Sequence, residues 1–182
     1  MSKLKLSKEQ SRLWYVFVFL VRIMLLSIPL YVILWANPSM EFIQYAVRDS
    51  AILAANLIGI ETKTDGFYIN LNTVDGPVSI DIGADCTGWK SAIAYLALVL
   101  AVPRVKNKKR LVAMVGIPII YAVNIGRIVF LLWAAVNMGF GYFRVFHEYL
   151  WKLGMSLAVI AVWYVWLTKK AGKIKPEKFI SY

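Results

Sequence analysis

The sequence predicts an all-α integral membrane protein: a four-transmembrane-helix bundle plus an interfacial helix, with a small extracytoplasmic β-hairpin. Three observations carry that prediction. Hydrophobic side chains make up 60% of the 182 residues and mean hydropathy is +0.63, well above the apolar share of a soluble domain. Four apolar runs stand apart, at or near the ~20 residues that a bilayer crossing needs. Short blocks of Lys and Arg abut these runs, the pattern left by the cytoplasmic side of a membrane. With no Pro/Gly/Ser-rich linker and no internal repeat, residues 1–182 read as a single membrane domain.

Residues 1–12 are polar and basic, and the apolar run 13–36 is the first span. No small-residue cleavage site follows it, so a retained helix is expected rather than a signal peptide. Arg22, near its middle, is expected to snorkel or to meet a carboxylate elsewhere in the bundle. Asn37-Pro38 ends the helix. Residues 40–60 are helical in pattern but only moderately apolar and carry Arg48 and Asp49, which favours an interfacial helix over a crossing. Between 64 and 82 the period changes to two. Ile69 and Leu71, then Val78, Ile80 and Ile82, alternate with polar residues on either side of Asp75-Gly76-Pro77, the signature of a β-hairpin. Residues 87–102 form the second span, 111–136 the third and 150–168 the fourth. A basic loop, Pro103 to Arg110, joins the second to the third, and a Gly- and aromatic-rich connection, Asn137 to Tyr149, precedes the fourth.

The net charge of +11 would suit a nucleic-acid partner if it were spread over one face, but it is not. Fourteen of the 21 Lys and Arg fall in the N-terminal tail (Lys3, Lys5, Lys8, Arg12), the central loop (Arg104, Lys106, Lys108, Lys109, Arg110) and the C-terminal tail (Lys169, Lys170, Lys173, Lys175, Lys178). That distribution excludes nucleic acid in favour of membrane lipids. It places both termini in the cytoplasm of a multi-pass cell-membrane protein, with the hairpin outside. One cysteine and one histidine make a poor ligand set, so no metal or organic cofactor is expected.

Those two single residues, Cys86 and His147, flank an arginine, Arg127, set inside an apolar run. Ionisable groups at membrane depth are costly and therefore functional candidates. Cys86 lies 17 residues before Pro103 and Arg127 lies 17 residues after Arg110. Antiparallel helices joined by the basic loop would thus carry both about 25 Å above it. His147, 22 residues before Lys169, reaches a comparable outer level. The residue types suit acyl chemistry. A thiolate attacks an acyl carbon, a histidine takes or returns a proton, and an arginine stabilises an oxyanion or depresses the thiol pKa. A position at a helix N-terminus would favour the thiolate further. Plainer roles stand beside these: Cys86 as a small apolar filler, His147 as part of an aromatic belt, Arg127 paired with Asp85.

Asp85-Cys86-Thr87-Gly88, Asn124-Ile125-Gly126-Arg127 and Phe146-His147-Glu148, in that order, resemble the exosortase/archaeosortase family. The resemblance covers about residues 80–165. It implies a membrane-embedded cysteine peptidase or transpeptidase whose substrates carry a C-terminal sorting signal: a short motif, a transmembrane helix and a basic tail. It implies cleavage on the outer face and transfer of the new C-terminus to a lipid or other acceptor. By matching motif, Cys86 is the nucleophile, Arg127 the electrostatic stabiliser and His147 the third, most variable member. Asp85, Thr87, Gly88 and Asn124 are candidates for substrate binding. The motifs do not decide between the bacterial and archaeal branches; the short chain and outer hairpin favour the archaeosortase branch.

The expected course is lateral docking of a substrate helix, with its extended preceding segment beside the hairpin, then attack by Cys86. Two rivals remain: a cysteine protease that releases its product by hydrolysis, and a non-catalytic membrane scaffold docking partners on the hairpin. Four spans without paired broken helices leave little room for a transporter.

Overall fold

The computed structural model describes residues 8–36, 38–103, 105–149 and 153–169. Most lysines of the two tails, Arg104 and the expected start of the fourth span at 150–152 lie outside these residues. The chain folds into helices α1 (Lys8–Ala36), α2 (Glu41–Leu57), α3 (Trp89–Ala101), α4 (Asn107–Ala113), α5 (Gly116–Met138), α6 (Phe140–Tyr149) and α7 (Met155–Lys169). Strands β1 (Lys63–Asp65), β2 (Tyr68–Thr73) and β3 (Gly76–Asp81) lie between α2 and α3.

Two stretches are long and apolar enough to cross a membrane: Leu13–Ala36 and Asn107–Met138. Apart from the half-buried face turned to α3, the first presents its apolar surface outward; Leu13, Met24, Tyr31 and Trp35 are each more than 60% exposed. A helix apolar on every side needs a nonpolar solvent. Arg22 lies on an exposed position of α1, as snorkelling requires. α3 and α7 are apolar too, but they have only 13 and 15 residues, about 20 Å of rise each.

Two apolar cores divide the molecule. In one, Tyr95, Val99, Val102, Ala113, Ile120, Met155, Val159 and Trp166 pack α3, α4, the first half of α5 and α7 together. In the other, the second half of α5 (Ile128, Leu132, Ala135) receives α2 and the sheet. Val47, Ala51 and Ala55 recur every four residues on α2 and are fully buried, so small side chains let the helix lie close against α5. The segment expected as an interfacial helix is therefore half buried along the bundle. The alternation along 69–82 reaches the structure intact. Ile69 pairs with Ile80 and Leu71 with Val78, and Ile69, Leu71, Ile80 and Ile82 are buried on one face.

Elsewhere the boundaries differ from expectation. The hairpin is a three-stranded antiparallel sheet of order β1-β2-β3, because Lys63–Asp65 returns on β2 through a turn at Gly66. All of β1 is exposed, so it carries no apolar alternation to be read. The third span starts in the basic loop at Asn107 and breaks at Met114-Val115 between α4 and α5. Within the connection 137–149, Phe140–Tyr149 is a helix, α6, despite Gly139 before it and Gly141 in it, and its aromatic side chains pack on α5: Phe146 lies edge-on to Phe130 at 5.4 Å. Cys86 precedes α3 in a 3-10 turn, Ala84–Thr87, and does not open the helix itself.

Candidate functional site

Strand β3 delivers the chain to Ile82 and Gly83, where the 3-10 turn begins; Cys86 N–H donates to Gly83 O at 2.8 Å. Thr87 is buried and its hydroxyl donates to Ala84 O at 2.8 Å, closing the turn. Gly88 then takes a left-handed φ of +76°, which reverses the chain into α3 and which L side chains resist. Space as well as backbone demands glycine here, since a Cβ would stand 3.1 Å from Asn124 Cγ.

Asn124, 1% exposed on α5, donates from Nδ2 to Cys86 O at 2.9 Å. Arg127 follows three residues later and so shares its face of the helix. The side chain of Arg127, 6% exposed, lies close enough to Cys86 for its charge to act on the thiol. From the other side α6 brings His147, its ring stacked on Phe143 with centroids 5.7 Å apart. Cys86, Arg127 and His147 together line a cavity of about 30 Å³, with Asp81, Phe143 and apolar residues of β3 and α5 completing its wall. That volume suits one water molecule or one oxyanion. Cys86 and His147 also line a cleft of about 600 Å³ bordered by Asp85, Gly141, Arg144 and Glu148.

Burial pushes the Cys86 thiol above its ordinary 9.0; Arg127 pulls it back, while Asp81 and Asp85 push it further up. A thiol depressed by Arg127 and by a helix N-terminus is thus not what forms. Desolvation outweighs the one cation, and two carboxylates oppose it. Burial also pushes His147 below 6.5, helped by Arg127 and opposed by Glu148. The resting pair at neutral pH is accordingly a neutral thiol beside a neutral imidazole. A neutral imidazole has the protonation state that a general base requires.

The structure brings together the three residues singled out from the sequence and sorts their neighbours. Asp85 is ion-paired with Lys90 at the edge of the cleft. Thr87, Gly88 and Asn124, expected as substrate contacts, are turned inward and brace the cysteine turn. Asp81 and Arg144 were not legible in the sequence as site residues. Asp81 alternates with two buried isoleucines and so reads as a solvent position. Arg144 precedes His147 by three residues, a neighbour only once 140–149 is known to be helical. Among the described residues no three His, Cys, Asp or Glu side chains gather as a metal-ligand set.

An apolar helical protein with a thiol, a guanidinium and an imidazole around one cavity, beneath an open cleft, defines a membrane protein with a cysteine-centred site. A family model described as transmembrane exosortase matches residues 10–165. The chain belongs to the transmembrane exosortase family; the match does not distinguish the archaeosortase branch from the rest. Neither curated proteins nor solved structures yield a match. Membership supports membrane localisation and a role of the transpeptidase or protease kind.

Proposed function

We propose that this exosortase is an intramembrane cysteine transpeptidase in which Cys86 is the nucleophile, Arg127 stabilises the oxyanion and His147 carries the proton. The observation that supports this reading is the single cavity lined by all three side chains, two of which also face the cleft. In the accompanying topology α1, α3, α4–α5 and α7 cross the membrane with both termini cytoplasmic. Short α3 and α7 are accommodated by local thinning of the bilayer, and the sheet, the cysteine turn and α6 stand on the outer side.

His147 takes the Cys86 proton as sulfur adds to the scissile carbonyl carbon, and the carbonyl π electrons move onto oxygen. Arg127 donates to that oxyanion with a planar pair of N–H groups, in a cavity where little water competes. Collapse breaks the C–N bond; the amine leaves with the proton returned by His147, and a thioester to Cys86 remains. A hydroxyl or amine acceptor, lipid-borne or otherwise, or water in its absence, displaces the thiol. The substrates are membrane proteins ending in a short motif, an apolar helix and a basic tail. The helix docks against the bundle and the extended segment before it enters the cleft.

Co-expression with such a tripartite substrate tests the reading. Wild-type protein shortens the substrate by its helix and tail, and Cys86→Ala does not. Equal processing by both would end it.

A further inference from the structure

Asp75 stands at the tip of the β2–β3 hairpin, nine residues before the cysteine turn begins at Ala84, and its carboxylate reaches a different element. Asp75 Oδ2 accepts the backbone N–H of Phe140 at 2.8 Å. Phe140 opens α6, and the first N–H groups of a helix have no acceptor within it. Only Gly139 separates α6 from the end of α5, so whatever holds the first turn sets the direction of the helix. Gly139 has φ +96°, and a Cβ there would lie 2.5 Å from Asp75 Oδ2. Tip and junction are in contact with no space to spare. The tip is itself fixed: Asp75 N–H donates to Thr73 Oγ1 at 3.2 Å, and Thr73 Oγ1 donates to Gly76 O at 2.8 Å. Two turns along α6, His147 enters the cavity that holds Cys86 and Arg127.

We propose that Asp75 is a positioning residue: by capping Phe140 it sets the direction of α6 and holds His147 beside Cys86. This rests on the reading of Cys86 and His147 as a reacting pair. The hairpin then organises the site from both ends, Asp81 forming part of the cavity wall at its base and Asp75 steering the histidine helix from its tip.

The full-length protein in nanodiscs of neutral lipid tests this without a substrate. With one histidine and one cysteine in the chain, ring NMR of His147 and iodoacetamide alkylation of Cys86 need no assignment. The groups facing His147 are Arg127 from α5, Cys86 and Asp81 across the cavity, Asp85 across the cleft, and Arg144 and Glu148 on its own helix. In wild type the His147 midpoint should fall below 6.5, since the ring is desolvated and faces Arg127. In Asp75→Ala it moves up toward that value as the ring leaves the cavity. Alkylation at neutral pH slows by about threefold or more as the thiol loses its proton acceptor. Asp75→Asn keeps an acceptor oxygen and restores both readouts, whereas a merely structural role would lower Tm and leave the midpoint in place. A wild-type midpoint and rate in folded Asp75→Ala overturn the proposal. Should that variant not fold, Asp75→Leu decides, because it keeps the side-chain bulk and offers no acceptor to Phe140 N–H; a wild-type midpoint there is equally fatal. His147→Ala separates the two levels. A wild-type alkylation profile in it overturns the reacting pair and this inference with it. A changed profile there with an unchanged one in Asp75→Ala overturns only the role of Asp75.

Discussion

The carboxamide of Asn124 donates to the backbone carbonyl of Cys86 at 2.9 Å. This bond ties the cysteine turn to the helix that carries Arg127 one turn further on. It fixes the height of the thiol against the guanidinium, and it does so from a side chain that is 1% exposed. Asn124→Ala should cost about 1 kcal/mol of stability, the price of a part-buried carbonyl left without its donor. Asn124→Asp should cost more although it is isosteric, because a carboxylate would face the Cys86 carbonyl. Thermal unfolding in detergent ranks the two, and an Asp variant as stable as wild type would refute the donor role.

Gly88 meets two constraints at once, a φ of +76° and a 3.1 Å approach to Asn124. Gly88→Ala should therefore destabilise by about 1–2 kcal/mol from backbone strain alone, with a further loss as Asn124 is displaced. Co-expressed substrate should be processed more slowly at a temperature where the variant remains folded.

Arg127→Lys keeps the charge and discards the planar, multiply donating geometry. If Arg127 holds the oxyanion, turnover should fall by about 10²–10³-fold. Cys86 alkylation by a small neutral reagent should change far less, since a single cation still faces the thiol. Near-full turnover in Arg127→Lys would remove the oxyanion role.

The two shifted groups bound the pH range of stability. His147 is held below 6.5 in the folded protein, so the unfolded chain binds more protons in the window below 6.5, and stability falls as pH drops through it. Cys86 is held above 9.0, so the folded chain retains its proton longer, and stability falls as pH rises beyond 9.0. Unfolding scans should show a plateau between these limits. His147→Ala should flatten the acid side, and Cys86→Ala should flatten the alkaline side.

Away from the site, the ring of Tyr95 lies over Gly116 so closely that a Cβ would stand 2.3 Å from its Oη. The Tyr95 hydroxyl donates to Ala113 O at 2.8 Å across the break between α4 and α5. Gly116→Ala should expel the ring, lose that bond and cost about 1–3 kcal/mol. Tyr95→Phe in the Gly116→Ala background should add little to the loss, because the bond is already gone, and thermal shifts of the three variants measure this.

Particular elements show how far the sequence was legible. The apolar runs, the basic loop and the alternation of Ile69, Leu71, Ile80 and Ile82 depend on periods of a few residues, so they can be read from the chain alone. The equal spacing of Cys86 and Arg127 from the basic loop was likewise legible, since the rise of a helix converts residue number into height. α6 was not. Its glycines and aromatics carry a weak local signal, and its contacts are with Asp75, 65 residues away, and with Phe130 of α5. With α6 hidden, Arg144 was hidden too. The protonation of the thiol was misread for the same reason. A nearby arginine is visible in a sequence, but burial and the approach of Asp81 belong to the folded chain.

By itself, then, the sequence determined a membrane protein and its three singular side chains, Cys86, Arg127 and His147, because composition and helical rise are local properties. Tertiary structure alone decided that these side chains share one small cavity and that Asn124, Thr87 and Gly88 serve the cysteine turn. It also decided that the pair rests uncharged, since desolvation and long-range contacts exist only once the two cores have packed.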